Sequence, residues 1–425
     1  MAIIQFAVVA SLTIALGYLS ALTLTAVLAA VRAGGRRQET PESVAALASS
    51  RLTIPVSIIV PAGDSPEIGA AVRELLDLNY PEFEVIVVVD QPATAAAAIE
   101  DAWALESIEF FYRRTLETRA VKRIFRSGLD PRLMVIEKEP GETADALNVG
   151  VNIARYRFVA VVPLGTTFSR DALLRAMSPA LDDPRAVVGV FSPLEQRGSS
   201  ASHVVDARFL RLRALRASML ARLFRGGLSR QIDGNGVRLW RRDAVLNAGG
   251  FSTRVARPDV DLAFRLVRDS DHRVVCAPEA FGVGPAEPGP TLWEDTRERQ
   301  SAVLRVLHTV NFSAIRDGWR QGIGALLEAE LLTPIAQGWV VAASVFGAAA
   351  GVFGWSAVLW CGAVLSFGSA LVSAAAILLA GSYEHGPGAS EMTALLFASP
   401  FEFLLVRPRL AQARLSAIFR TRLDA

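Results

Sequence analysis

The sequence predicts an α/β protein with a mostly parallel, Rossmann-like sheet, held on the cytoplasmic face of a membrane by flanking transmembrane helices. Three observations predict it. From Pro55 onward, short apolar runs bounded by turn residues alternate with stretches of helical periodicity, the pattern of βαβ units. Two long segments, 2–31 and 331–383, contain no charged residue. A hydrophobic content of 52% coexists with 20% charged residues, and the mean hydropathy is +0.34. That balance excludes a disordered chain and fits a water-exposed body joined to membrane spans. The net charge of +2 leaves no chain-wide basic footprint for nucleic acid. Cys276 and Cys361 are far apart, and His203, His272, His308 and His385 show no ligand spacing, which argues against a disulfide scaffold or a zinc site. Of 44 basic residues only Lys122 and Lys138 are lysines.

Taken in order, residues 1–31 form a first transmembrane helix. No basic n-region precedes the apolar run, and the run is longer than a signal-peptide core, so it reads as an anchor. Arg32, Arg36 and Arg37 follow at once, which places the N-terminus outside and the following chain in the cytoplasm. Residues 32–51 are a polar linker. The domain from 52 to 300 opens with Val56–Val60, an apolar run ending at Pro61 that reads as a buried parallel strand. Residues 67–78 place Ile68, Val72, Leu75 and Leu76 at helical spacing, and Glu84–Asp90 reads as a second buried strand. Strand, helix and strand form a right-handed βαβ unit. Asp90 ends the second strand, where open α/β sheets bind ligands; on position alone, a capping role weighs equally. Further strands are predicted at Arg132–Ile136, Phe158–Pro163 and Val187–Phe191, with a helix over Thr143–Ala154.

Residues 203–228 interleave Arg208, Arg211, Arg213, Arg216, Arg222 and Arg225 with Phe209, Leu210, Leu215, Leu220, Leu223 and Phe224, as a basic amphipathic helix on the inner leaflet would. Residues 301–330 read as interfacial amphipathic helices. The segment 331–383 is long enough for two transmembrane helices, turning near Gly351–Trp355. Residues 384–425 form an interfacial segment, where Glu391 and Glu402 argue against a further span, and a basic tail with Arg407, Arg409, Arg414, Arg420 and Arg422. This is the layout of a multi-pass protein of a bacterial inner membrane with its large domain in the cytoplasm.

Several motifs recur in a telling order: Pro55–Pro61 (PVSIIVP), Leu78-Asn79-Tyr80-Pro81, Glu84–Asp90 (EVIVVVD), Ala146–Gly150 (ALNVG), Gly234-Asn235-Gly236, Arg241–Ala244, Gly249-Gly250-Phe251 and Pro258–Leu266. Together, over roughly Pro55 to Gln300, they resemble the family 2 glycosyltransferases with the GT-A fold, and more narrowly the membrane-embedded members that act on polysaccharides. The resemblance implies transfer of a sugar from a nucleotide-sugar donor to a lipid-linked or polysaccharide acceptor by an inverting mechanism. It implies Asp259 as the general base and Pro61, Asp90, Asn148 and Asp261 as nucleotide or donor contacts. It also implies Arg241, Arg242 and Gln300 as acceptor or phosphate contacts.

The sequence departs from the family where charge is handled. Pro163 and Gly165 stand where the metal-binding DXD motif has its two aspartates, Thr143 replaces a lysine, Gln91 and Pro258 replace acids, and Val303 and Leu304 replace the Arg and Trp of QxxRW. No metal is therefore assigned. Mg or Mn fits only if ligands come from Asp171, which reads as a helix cap, or from Asp182-Asp183. Otherwise Arg238, Arg241, Arg242 and the 208–225 cluster are the cations available to a leaving diphosphate. Two expectations follow: an active transferase, or a catalytically inactive relative acting as a scaffold or binding subunit among polysaccharide-assembly proteins. Partners are a nucleotide sugar, a lipid-linked or glycan acceptor and the membrane; nucleic acid is not among them.

Overall fold

A computed structural model describes residues 2–34, 53–63, 68–90, 99–194, 208–213, 215–216, 219, 236–255, 257–268, 272–277, 282–284, 293, 296–297, 300, 331–381, 388–402 and 412, and the statements below concern these. In chain order, helix α1 (Ala2–Gly34) is followed by β1 (Val56–Gly63), α2 (Ile68–Leu76), β2 (Phe83–Asp90), β3 (Leu105–Ser107), β4 (Val121–Ser127) and β5 (Leu133–Lys138). Next come α3 (Thr143–Ile153), β6 (Phe158–Val161), β7 (Thr167–Phe168), α4 (Ala172–Asp182) and β8 (Val187–Pro193). The order continues with β9 (Gly236–Arg241), α5 (Arg242–Asn247), α6 (Pro258–Arg268), β10 (Arg273–Cys276) and β11 (Gly282–Val283). Three helices, α7 (Thr333–Ala349), α8 (Trp355–Gly381) and α9 (Ala389–Ala398), complete the described elements.

The chain divides into two units. One comprises Glu39–Gly198 and Arg230–Pro288 and holds the sheet; the other comprises Met1–Gln38, Ser199–Ser229 and Gly289–Ala425 and is helical. This differs from the continuous 52–300 domain that the sequence predicts: residues 199–229 and 289–300 fall in the helical unit. The reason lies in the segment 208–219, whose Phe209, Leu212, Leu215 and Met219 are buried with Ala26 and Ala30 of α1, Ala376, Ile377 and Leu379 of α8, and Leu395 of α9.

The sheet unit is a mixed α/β body around a nine-stranded sheet in the order β10-β8-β9-β6-β1-β2-β5-β4-β3. Strands β6, β1, β2 and β5 are mutually parallel, and only β9 and β4 run against the rest. Both β1 and β2 are nearly continuous buried apolar runs, as strands covered on both faces must be. The strand β1 runs on through Pro61, where the sequence places its end. Proline's missing N–H is tolerated because β6 pairs only as far as Ile59, and the register shifts between Pro61 and Gly63. Helix α3 packs tightly on this layer: a Cβ on Gly150 would stand 2.5 Å from Ile59 Cγ2, so only glycine fits.

In the helical unit, α1 and α8 contain segments long and apolar enough to cross a membrane, Gln5–Leu28 and Trp355–Ala380. Ile14, Leu359, Trp360 and Phe367 are exposed on them, a surface suited to lipid rather than water. The apolar α7 is shorter and joins α8 through a turn at Ala350–Gly354, where Gly351 has φ +71° and the Phe353 ring packs on Gly347. The two acids of the 390–402 region are paired: Glu391 with Arg211 at 3.3 Å, and Glu402 with Arg216 at 2.7 Å. Arg216 also donates to Ser369 of α8.

Candidate functional site

The chain builds β1, β2 and β5 outward in one direction, then crosses back through α3 to place β6 on the other side of β1. Such a reversal opens a crevice at the carboxyl ends of the strands, the usual ligand site of open α/β sheets. Pro61 and Gly63 end β1 at this edge, Asp90 ends β2, and the turn 163–166 follows β6.

Asp90 lies directly across from Lys138, the last residue of β5. The Lys138 ammonium is wholly buried, 2.7 Å from Asp90 Oδ1 and 2.8 Å from Asp145 Oδ2 on α3. It also donates to the Glu139 carbonyl at 2.9 Å. Asp145 belongs to a buried polar stripe along α3. Its Oδ1 accepts the Arg119 N–H; Asn148 exchanges two hydrogen bonds with the Phe251 backbone; Asn152 accepts the N–H groups of Thr115 and Leu116 and donates to the Leu116 carbonyl. Asn148, expected at the donor, thus has both ends of its amide committed to the Gly249–Phe251 turn. Gly250 sits there at φ +76°, where a Cβ would stand 2.6 Å from Asn148 Oδ1.

The turn at the DXD position is closed by Thr166 Oγ1 donating to the Pro163 carbonyl, with Gly165 at φ +77°. Neither Pro163 nor Gly165 brings a side-chain oxygen, and among the described residues no group of three or more His, Cys, Asp or Glu side chains converges. Hard divalent cations need such oxygens, so the described residues around this turn do not fit Mg or Mn. Of the alternative sources, Asp171 and Asp183 are committed, and the Asp182 side chain lies outside the described residues. Asp171 makes no side-chain cap bond, contrary to the sequence reading; it accepts instead from Asn79 Nδ2 at 2.7 Å. Asp183 pairs with Arg273 and accepts the Ala186 N–H.

Arg238 on β9 is in register with Val161, the last residue of β6, and so stands beside this turn. Its buried guanidinium lies 2.7 Å from Asp259 Oδ2, donates to the Gly236 carbonyl, and stacks over the Phe191 ring at 5.2 Å. Arg257, two residues before it in the chain, holds the same carboxylate at 3.3 Å. Burial opposes the charge on Asp259, but Arg238, then Arg257, and the hydrogen bonds from Arg257 and the Val260 N–H outweigh it. The carboxyl is held below the usual carboxylate range. Strands β9 and β2 are three positions apart, roughly 14 Å across the sheet, and the register sets Arg238 level with Ile86, four residues before Asp90. Asp261, one turn into α6, pairs with Arg265 at 2.8 Å.

Other expected contacts lie elsewhere. Because β9 is antiparallel, Arg241 pairs with Phe158 at the start of β6, on the edge opposite Asp90. Arg241 donates to Asp243 and the Arg185 carbonyl, while Arg242 caps the end of α3 through the carbonyls of Val151 and Asn152. Gln300 is buried within the helical unit. The sequence reading missed Lys138 and Asp145. For Lys138 a signal existed: it is one of two lysines in a chain that otherwise uses arginine.

No protein-family model matches the chain, and no curated protein matches it. Among solved structures, the mannosyltransferase PcManGT from Pyrobaculum calidifontis, solved in complex with GDP-Man and Mn2+, is 21% identical over 93% of this chain and 99% of that one, with a TM-score of 0.52. The fold is shared with a glycosyltransferase. Structures of S. aureus TarS 1-349, alone and in complex with UDP-GlcNAc, are 12% identical over 85% of this chain and 92% of theirs, with TM-scores of 0.42 and 0.40. In this glycosyltransferase fold, Asp90, Pro61, the Pro163–Gly165 turn and Asp259 come to one edge of the sheet, whereas Arg241 and Arg242 lie on the other.

Proposed function

We propose that the protein is a membrane-attached glycosyltransferase that takes a nucleotide sugar at the carboxyl edge of its sheet and transfers the sugar, with inversion, to a lipid-linked or glycan acceptor. The observation that carries this reading is the placement of Asp259 at that edge, ionised and beside the turn after β6, in a fold shared with a mannosyltransferase. The acceptor hydroxyl oxygen attacks the anomeric carbon as the bond to the diphosphate breaks, and Asp259 receives the hydroxyl proton. The developing diphosphate charge falls to guanidinium groups, with Arg238 beside the turn the best placed. In this reading the protein sits in a bacterial inner membrane with the sheet unit in the cytoplasm, alongside other polysaccharide-assembly proteins.

One observation favours a second reading, a catalytically silent scaffold: both guanidiniums that flank Asp259 already engage its carboxylate. Turnover separates the two. The detergent-purified chain is assayed for hydrolysis and transfer with UDP- and GDP-sugars, with and without Mn2+. Metal-independent turnover, lost at least ~10²-fold in Asp259→Asn, is expected. No turnover of any donor would favour the scaffold.

A further inference from the structure

We infer that the loop 108–114, between β3 and β4, is a membrane-docking element that seats aromatic rings among the headgroups of an anionic bilayer; the inference rests on the membrane attachment proposed above. Three aromatic residues in a row, Phe110, Phe111 and Tyr112, are followed by two arginines, Arg113 and Arg114. The half-buried rings of Phe110 and Tyr112 stack on each other, with centroids 6.5 Å apart. Phe111 is 93% exposed, and both arginines are exposed. Among the described residues of the sheet unit, only Phe111 and Leu129 are large hydrophobic side chains left in water. One apolar side chain on a surface is ordinary. A run of aromatics that ends in free-standing guanidiniums is the composition of a membrane interface, where rings lie at headgroup level and arginine meets lipid phosphate.

The loop is held at both ends. The Ile108 N–H donates to the Ile124 carbonyl of β4 at 2.9 Å. At the other end, Asn152 accepts the N–H groups of Thr115 and Leu116, and the Leu116 side chain is buried. Folding has therefore already met much of the ordering entropy that docking would otherwise cost. The fold gains nothing in return from the Phe111 ring, which no core covers.

Three observations favour lipid as the partner. A ring this exposed has no walls around it to select a glycan or a peptide. Arg113 and Arg114 outnumber Glu109, the one acid of the loop, so its net charge is complementary to anionic headgroups. The third is connectivity. Strand β3 runs with β5 toward the carboxyl edge of the sheet, because β4 is antiparallel to both, and the loop leaves the sheet there. The chain passes into the helical unit after β8 and after β10, two strands that end at the same edge, and that unit holds both segments apolar enough to cross a membrane. A loop on a tethered body needs little intrinsic affinity, since the tether raises the effective concentration of the bilayer.

The test uses the full chain in lipid nanodiscs, carrying Cys276→Ser and Cys361→Ala, with a bimane label on Phe111→Cys or, as control, on Leu129→Cys. In discs rich in phosphatidylglycerol, acrylamide is expected to quench the label at 111 at least ~3-fold less than the label at 129, and doxyl lipids to quench it at least ~3-fold more. Phosphatidylcholine discs, or Arg113→Gln combined with Arg114→Gln, are expected to remove most of that difference. Equal acrylamide access at the two positions overturns the inference. So does a label at 111 that is shielded from acrylamide but untouched by doxyl lipid, since a glycan or a protein would then cover it. Shielding indifferent to lipid charge and to the arginines overturns it too. A chain that alkaline carbonate strips from liposomes overturns the membrane attachment, and this inference with it; a chain that stays while position 111 is open to acrylamide overturns the inference alone. If circular dichroism shows Phe111→Cys to be unfolded, hydrogen exchange of residues 109–114 in the wild type is compared between anionic and neutral discs. Slower exchange in the anionic discs is expected, and unchanged exchange overturns the inference.

Discussion

Asp259 illustrates how much a single carboxylate depends on residues outside its own segment. Its position is visible in the sequence at the start of a helix, and so is Arg257 two residues before it, but Arg238, which holds it at 2.7 Å, comes from β9. Its folded-state pKa is lowered, so the clasp contributes stability above the unfolded carboxylate pKa and loses it as pH falls through the folded value. Replacing Asp259 by Asn is expected to cost about 1–3 kcal/mol near neutral pH, with the gap to wild type narrowing as the medium is acidified below the carboxylate range. Denaturant melts of both chains across that range check this; a gap that is independent of pH would contradict it. Asp261, its neighbour, was equally visible as a site residue, yet the i,i+4 pair with Arg265 occupies it.

At the level of elements, α3 was legible as a helix almost to the residue, while its role was not. The ALN-x-G segment looks like donor-binding sequence. In the structure its polar positions 145, 148 and 152 form one face that ties down three loops. Asn152→Ala would leave two N–H groups and one carbonyl of residues 115–116 without their partner, at an expected cost of about 1–3 kcal/mol. Faster hydrogen exchange confined to residues 115–119 would mark the loop that is released, and unchanged exchange there would refute the assignment. The 208–219 segment was legible as a basic amphipathic helix, but its arginines were read as lipid-facing. Arg211 and Arg216 instead meet Glu391 and Glu402 inside the helical unit. A double-mutant cycle on Arg216→Ala and Glu402→Ala should give a coupling of about 1–3 kcal/mol, since both groups are shielded from water. Additive effects would mean that the pair contributes nothing.

For the molecule as a whole, in the membrane-attached reading proposed above, the number of crossings decides on which side each end of the chain lies. Helices α1 and α8 meet the length and apolarity needed to cross, whereas the 17 residues of α7 rise only about 26 Å. The short turn between α7 and α8 and the uncharged character of both favour a hairpin crossing, three passes in total. A tag placed before residue 2 and a tag after residue 425 should then lie on opposite sides. Protease added to the outer face of spheroplasts would cleave the first and spare the second; identical behaviour of both tags would leave two crossings.

The sequence by itself determined the α/β class, the parallel strands β1, β2, β5 and β6 and the helices between them. Period and length of apolar runs are local properties, and the backbone obeys them wherever the segment lies. It also determined the apolar segments, because a run without charge is legible at any position. The tertiary structure alone decided which charges meet. Ion pairs such as Lys138 with Asp90 and Asp145, or Arg238 with Asp259, join residues of separate elements across the sheet edge. Strand order and direction set them, moving Arg241 and Arg242 to the far edge while bringing Arg238 beside the turn after β6. Periodicity within one segment carries no information about the segment that will pack beside it, and Coulomb energy depends on that distance and on how far burial lowers the local dielectric.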